Sequence, residues 1–196
     1  YSDMPQTDLA TDDAVSNDVS NNYKKMATGS WTAEINPVSR WNDAFHAIQY
    51  CNLMIANADK VERSYTDESV NQMFIDNYLG NAYALRGLHH FYALRAHAGM
   101  AEKDGEILGI PMHLEYVDGN ADFNEARLTF KECYDLIMAD WNKALEYLPE
   151  QYKSISSSAE VPAKYASIGA DMTGYNKAVG DHHRGKIDGR IIAAFK

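Results

Sequence analysis

Hydrophobic residues recur every three or four positions in three long segments of the chain. The first segment is Trp41 to Asp59, and its recurring positions are Trp41, Ala44, Phe45, Ile48, Cys51, Ile55 and Ala58. This spacing predicts an amphipathic helix. Ser39, shortly before the first of these positions, is a candidate N-cap because its hydroxyl can accept a hydrogen bond from a free backbone N–H of the first turn.

The second predicted helix extends from about Ser69 to Ala98 and is apolar on more than one side. One stripe consists of Ile75, Tyr78/Leu79, Ala82, Leu85/Arg86, His89, Tyr92/Ala93 and Ala96, and the opposite face carries Leu88, Phe91 and Leu94. A helix that is apolar nearly all round is buried between neighbours. Gly99 ends the helix, and Pro111 predicts an extended segment after it because proline removes a helical N–H donor.

The third helix is predicted within "RLTFKECYDLIMADWNKALEYLP". Thr129 and Glu132 fit the capping-box pattern at its start, and Pro149 ends it. Residues 150–185 are predicted to form a long loop. A fourth apolar periodicity begins near Gly185 and is interrupted at Lys196, so we expect the chain to be the amino-terminal fragment of a longer protein.

Since no long segment alternates as a strand does, the pattern predicts an all-α fold with helices paired in order. The helix pairs resemble tetratricopeptide units, as in Trp41-x2-Ala44-Phe45-x2-Ile48 and Ala84-x3-Leu88-x2-Phe91. The same pattern restarts at Tyr134, far beyond the ~34 residues of a plain repeat, which implies long inserted loops. We expect residues 1–30 to be a polar loop or weakly ordered entry and residues 31–196 to be the helical domain.

Composition narrows the classes of partner. The net charge of −10 argues against nucleic acid, whose phosphates need a basic surface. An acidic chain with 13 tyrosines fits a neutral polar ligand better. No apolar stretch is long enough to span a membrane. Cys51 and Cys133 are interpreted as buried free thiols, with a disulfide between them as the alternative. A metal site is not predicted at either cysteine, because neither has partners at metal-ligand spacing.

The sequence favours binding over catalysis. His89 and His90 are adjacent, so on a helix they point about 100° apart and cannot hold one metal ion together. His89 is expected to form hydrogen bonds between helices, and Arg86, on a buried face, is expected to pair with Asp140 on the third helix. No zinc-protease, nucleophile-elbow or phosphate-loop motif is present, so no enzyme, cofactor or metal site is predicted. An accidental pair of carboxylates at glycosidase spacing remains the alternative.

Three motifs together resemble the SusD/RagB family of outer-membrane glycan-binding lipoproteins. The first is the helix led by Trp41 that contains "CNLMIAN". The second comprises Gly80-Asn81-Ala82-x2-Leu85-Arg86-Gly87-x3-Phe91-x2-Leu94, Gly99 and Gly109-Ile110-Pro111. The third comprises Arg127, Thr129, Glu132, Tyr134, Ile137, Asp140, Ala144, Leu148 and Pro149. The resemblance extends from Trp41 to Lys196, and Asn81 and Gly87 depart from the usual Glu and Ala.

The resemblance implies a surface-exposed lipoprotein of the outer membrane that binds an oligo- or polysaccharide. Such a protein delivers the glycan to a SusC-like TonB-dependent transporter and contacts the membrane only through a lipid anchor, which we expect to be absent from this fragment. The alternative is a helical scaffold that docks a protein partner without direct glycan contact in this fragment.

Aromatic residues in loops are the candidate glycan contacts, because a flat ring can stack on the C–H face of a sugar. Trp31 lies in "TGSWTAEINPVSR", outside every apolar stripe, and Asn36 and Arg40 could meet the sugar hydroxyls. Tyr165 and Tyr175, in the predicted loop after Pro149, are further candidates. Packing of Trp31 against the helices remains the alternative. Trp41 and Trp141 follow the apolar periodicity and are therefore predicted to be core residues.

Overall fold

The chain divides into two units, Tyr1–Arg40 and Trp41–Lys196. The computed structural model describes residues 11, 12, 15, 17, 22–30, 32, 41–60, 65–98, 107–119 and 124–196. In the first unit, the described residues include one short helix, α1 (Asn22–Ala27). The long helices predicted from the sequence all lie in the second unit.

The second unit is built from helices. Its elements are α2 (Trp41–Asn57), α3 (Glu68–His97), α4 (Phe130–Tyr147), α5 (Ala163–Ala166), α6 (Met172–Val179) and α7 (Gly189–Phe195). Single 3-10 turns occur at Ala58–Lys60, Ser158–Glu160 and Asp181–His183. Among the described residues, β-structure is limited to two isolated bridges, so the predicted all-α class is confirmed.

Helix α3 is the central element, with α2 and α4 as its main packing partners. Its first turn is capped by Asp67, whose carboxylate accepts hydrogen bonds from the backbone N–H groups of Ser69 and Val70. Two glycines let α4 approach closely. A Cβ at Gly87 would lie 2.8 Å from Nε1 of Trp141, and one at Gly80 would lie 2.5 Å from the side chain of Leu148. The main core lies at these contacts.

One side of α3 is open to solvent. Tyr78, Leu85 and Tyr92 lie at seven-residue intervals and are 48%, 36% and 38% exposed. The prediction that α3 is buried nearly all round is therefore wrong for this side. Within the part of the chain that the structure describes, its neighbours leave this row of side chains uncovered.

Helix α4 begins and ends as predicted. The Thr129 hydroxyl accepts a hydrogen bond from the Glu132 N–H, and the Glu132 carboxylate accepts one from the Thr129 N–H at 2.9 Å. This reciprocal pair is the predicted capping box. The helix ends at Tyr147, and Pro149 follows the cap residue Leu148.

The prediction of a long loop over 150–185 is wrong, because α5 and α6 form there. They enclose a second apolar core with α3, composed of Val70, Met73, Tyr152, Val161, Tyr165, Ala170, Tyr175, Ala178 and Val179. The amide of Asn77 on α3 donates to the Ala178 carbonyl at 2.7 Å and fixes α6 in place. Helices of four and eight residues are too short to show a hydrophobic period, so packing rather than pattern defines them.

Helix α7 begins at Gly189, a few residues after the predicted start near Gly185. Asp188 caps it by accepting from the N–H groups of Arg190 and Ile191. Cys51 and Cys133 are both buried and free, which confirms the favoured interpretation of the two thiols. None of the helices in the described ranges has the length and apolar character needed to cross a bilayer.

Candidate functional site

A polar cluster lies inside the helical frame, where α2, α3 and α4 meet. Arg86 on α3 donates from Nε to Oδ2 of Asp140 at 2.8 Å and from Nη2 to Oδ1 at 2.5 Å. The two side chains are only 7% and 6% exposed. The predicted pairing of Arg86 with Asp140 is thus present as a bidentate, buried ion pair, the geometry that a planar guanidinium favours.

The same cluster holds an extended segment, residues 113–117, which we call the anchored segment. Nη1 of Arg86 donates to the Leu114 carbonyl at 2.7 Å and to Oδ1 of Asn52 at 2.8 Å. The Asn52 amide in turn donates to the His113 carbonyl at 3.0 Å and to the Glu115 carbonyl at 2.9 Å.

Gln49, one turn before Asn52 on α2, donates to the carbonyl of Val117. Side chains of two helices therefore satisfy four carbonyls of the anchored segment, although this segment lies outside regular secondary structure. Backbone acceptors that are partly shielded from water are satisfied by such partners. The contacts fix the path of the anchored segment across the helical frame.

An open cleft of about 650 Å³ lies along the anchored segment, and we call it the Tyr116 cleft. Its lining residues are Met112, Leu114, Glu115, Tyr116, Val117, Asp118 and Glu125. The Tyr116 side chain is 45% exposed. Glu125 lies near the anchored segment, with its Oε2 3.6 Å from Nε2 of His113. The cleft thus combines an accessible aromatic ring, apolar side chains and three carboxylates.

Within the described ranges, no group of three histidine, cysteine or acidic residues is placed to hold a metal ion. The carboxylates of the Tyr116 cleft therefore do not form a ligand set for a metal. They can instead accept hydrogen bonds from hydroxyl or N–H groups of a ligand. This chemistry favours an uncharged polyol or a cation.

The histidine pair of α3 is arranged differently from the prediction. His90, rather than His89, is the buried member, with no exposed surface. Neither ring nitrogen of His90 has a hydrogen-bond partner. Burial, reinforced by the charge of Arg86, lowers the pKa of His90 to about 3. The hydrogen bonds between helices expected at His89 are not found among the described residues, and the packing of α2 and α4 against α3 makes His90 the buried ring instead.

The predicted ligand contacts have different outcomes. Trp31, Asn36 and Arg40 lie outside the described residues and remain predictions. Tyr165 and Tyr175 are 5% and 7% exposed, so the expectation that they occupy an exposed loop is wrong. Their rings pack in the second core.

The two tryptophans predicted to be structural contribute to the main core. Trp141 is 2% exposed, and Trp41 packs partly buried against the same core. Asn52, Gln49 and the anchored segment were not predicted from the sequence. The one signal for Asn52 in the sequence is its place among the apolar positions of α2. Its partners lie about 60 residues away in the sequence, and the structure shows that it is 2% exposed.

Residues 1–170 match a protein family described as starch-binding and associating with the outer membrane. The chain belongs to the SusD-like family. This membership confirms the resemblance seen in the three motifs. No curated protein matches the chain.

Solved structures show the same fold. A putative sugar-binding protein from Bacteroides vulgatus ATCC 8482 is 29% identical, with a TM-score of 0.56 over 71% of this chain. A SusD-like protein from Bacteroides fragilis NCTC 9343 is 19% identical, with a TM-score of 0.60 over 89% of the chain. A laminarin-binding SusD-like protein is also 19% identical, with a TM-score of 0.59 over 92%.

The SusD-like chain spans only part of these structures, since the matches cover 30%, 26% and 30% of their lengths. Its helix pairs, tetratricopeptide-like with long insertions, belong to the fold that they share. The Arg86–Asp140 pair joins two of the three motifs that carried the resemblance. The motif positions thus mark the helical frame of this SusD-like chain.

Proposed function

We propose that this chain belongs to a protein that binds an oligo- or polysaccharide at the outer cell surface and delivers it to a SusC-like TonB-dependent transporter. The observation that carries the proposal is the match of residues 1–170 to a starch-binding family that associates with the outer membrane. A sugar-binding relative and a laminarin-binding relative with the same fold support it. The proposed role is binding rather than catalysis, with attachment to the membrane by a lipid anchor.

The glycan contacts proposed from the sequence are Trp31, Asn36 and Arg40. An indole ring can cover one face of a pyranose, and the amide and guanidinium can bond to its hydroxyls. The net charge of −10 supports an uncharged glycan over a polyanionic one.

The test is a binding measurement on the complete protein with a panel of neutral and acidic polysaccharides. Affinity electrophoresis identifies retarding glycans, and titration calorimetry measures their affinities. We expect binding to at least one neutral glycan and a loss of affinity on the order of tenfold, ~1.4 kcal/mol, for Trp31→Ala. Absence of binding to every glycan in the panel by the folded protein would refute the proposed function.

Docking of a protein partner is a second candidate, favoured by the exposed row on α3. Tyr78, Leu85 and Tyr92 present three large hydrophobic side chains at seven-residue spacing on one face of α3, which a partner could cover. We propose the SusC-like transporter as the partner. Replacement of all three residues by serine should reduce copurification with the transporter from outer membranes and leave glycan affinity unchanged. Unchanged copurification would exclude this face.

A further inference from the structure

We infer that the Tyr116 cleft is a saccharide subsite selective for uncharged sugars, with the Tyr116 ring as its stacking surface. The inference rests on the proposed glycan-binding function and specifies a place and a sugar class for it. Tyr116 lies in the second unit, in a segment that the helical frame itself positions. Neither the sequence motifs nor the predicted contacts point to it.

The first argument is preorganisation. Tyr116 lies between Glu115 and Val117, whose carbonyls accept hydrogen bonds from Asn52 and Gln49. Asn52 is itself fixed by Arg86, and Arg86 by the buried carboxylate of Asp140. The backbone on both sides of the ring is therefore tied to the helices. A backbone held in place before binding saves the entropy of ordering a loop, which raises affinity.

The second argument is the chemistry of the cleft. Tyr116 exposes nearly half of its side chain, and Met112 and Leu114 add apolar lining. A sugar ring has an apolar C–H face and a rim of hydroxyls. The Tyr116 ring can stack on the C–H face. The carboxylates of Glu115 and Glu125 can accept hydrogen bonds from the hydroxyls, because ionised carboxylates are strong acceptors for O–H donors.

The third argument is charge. The described lining of the cleft contains three carboxylates and no lysine or arginine. A concave surface of one sign concentrates its potential and repels ligands of that sign. An oligosaccharide of uronic acids would bring its carboxylates against Glu115, Asp118 and Glu125. A neutral hexose oligomer meets no such repulsion, so the cleft selects against acidic glycans.

The ring is tested by calorimetry of the purified chain with maltohexaose and laminarihexaose. Tyr116→Ala should weaken binding of the preferred oligosaccharide by about tenfold, and Tyr116→Phe should restore most of that loss because it keeps the ring. Tyr134→Ala is the matched control, since Tyr134 is 40% exposed on α4 and lies outside the cleft lining. Melting curves verify that each variant is folded.

The selectivity against acidic sugars is tested with a galacturonic acid hexamer and the double variant Glu115→Gln/Glu125→Gln. We expect the unmodified chain to bind the acidic hexamer at least about tenfold more weakly than the neutral one, and the double variant to reduce this ratio. This arm does not depend on the stability of the Tyr116 variants.

The outcomes separate the two proposals. Absence of binding to any oligosaccharide by the unmodified chain and the complete protein refutes the proposed function, and the subsite with it. Binding that Tyr116→Ala weakens no more than Tyr134→Ala refutes the subsite alone. Equal affinity for the neutral and acidic hexamers refutes the sugar class.

Discussion

Replacing Arg86 by alanine tests whether the buried ion pair holds the helical frame and the anchored segment together. The change leaves the Asp140 carboxylate, 6% exposed, without its bidentate partner. Breaking a buried pair by removing one member costs ~3–5 kcal/mol. The Asn52 and Leu114 acceptors also lose their donor. We therefore expect a loss of about 4 kcal/mol, a large share of the 5–15 kcal/mol typical of a domain.

The assay is urea denaturation followed by far-ultraviolet circular dichroism. The matched control is Lys143→Ala, which breaks the exposed pair of Lys143 and Glu146 and should cost less than about 1 kcal/mol. In the double variant Arg86→Leu/Asp140→Leu neither charge is left buried alone. Its loss should therefore be smaller than the sum of the two single losses.

The dependence on pH adds a second observable. Burial raises the pKa of Asp140 even though Arg86 donates two hydrogen bonds to it. Without Arg86 this pKa rises further, so Asp140 can take up a proton in the folded variant at mildly acidic pH. The cost of Arg86→Ala should consequently be smaller at pH 5 than at pH 7. A loss below about 1 kcal/mol at pH 7, or strictly additive single losses, would show that the pair does not hold the frame.

Three further predictions concern buried positions of the frame. The pKa of about 3 for His90 lies below its unfolded value near 6.5, so the folded state excludes the protonated ring and the fold has its full stability above pH 6.5. That stability falls by ~1.4 kcal/mol per pH unit as the pH drops toward 3. The unfolding free energies measured by urea denaturation at pH 7 and pH 5 should therefore differ by ~2 kcal/mol more in the unmodified chain than in His90→Leu. Gly87→Ala places a methyl group 2.8 Å from the Trp141 ring. The clash should outweigh the gain in helix propensity and lower the unfolding free energy by about 1 kcal/mol. The control Gly119→Ala should change the unfolding free energy little, because its surroundings are open. Burial raises the pKa of Cys51 to about 11, so labelling by a thiol reagent at pH 8 should be slow in the folded chain and fast in urea; equal rates would contradict its burial.

The long helices were predictable because their physical cause is local. The 3.6-residue period of α2 and α4, the capping box at Thr129 and the stop at Pro149 all lie within the segments that they define. The Arg86–Asp140 pair was predictable for a related reason. A guanidinium on an inward face requires an acceptor, and Asp140 lies among the inward positions of α4.

The short helices α5 and α6 were not predictable in this way. Asp171 accepts a hydrogen bond from the Gly174 N–H and caps α6, which is a readable signal, but eight residues show too little periodicity to support it. Their stability comes from contact with α3, such as the bond from Asn77 to Ala178, 101 residues later. Tyr165 and Tyr175 were therefore assigned to a loop although they are core residues.

The apolar pattern of α3 could not decide which of the two histidines, His89 or His90, is buried. The sequence pattern places His89 three residues after Arg86, and the helix places His90 four residues after it. Both spacings share a face, so only the positions of α2 and α4 decide which ring is buried.

The anchored segment links the helical scaffold to the proposed binding cleft. Its carbonyls are held by side chains of α2 and α3, so the polar residues buried in the frame also set the place of the Tyr116 cleft. A change that loosens Arg86 or Asn52 should therefore move Tyr116 as well as destabilise the core. Because Asn52 lies on α2 and accepts from Arg86, Asn52→Ala separates the two effects better than Arg86→Ala. It removes the donor to His113 and Glu115 but leaves the ion pair with Asp140 intact, so it should weaken glycan binding at the cleft for a smaller loss of stability.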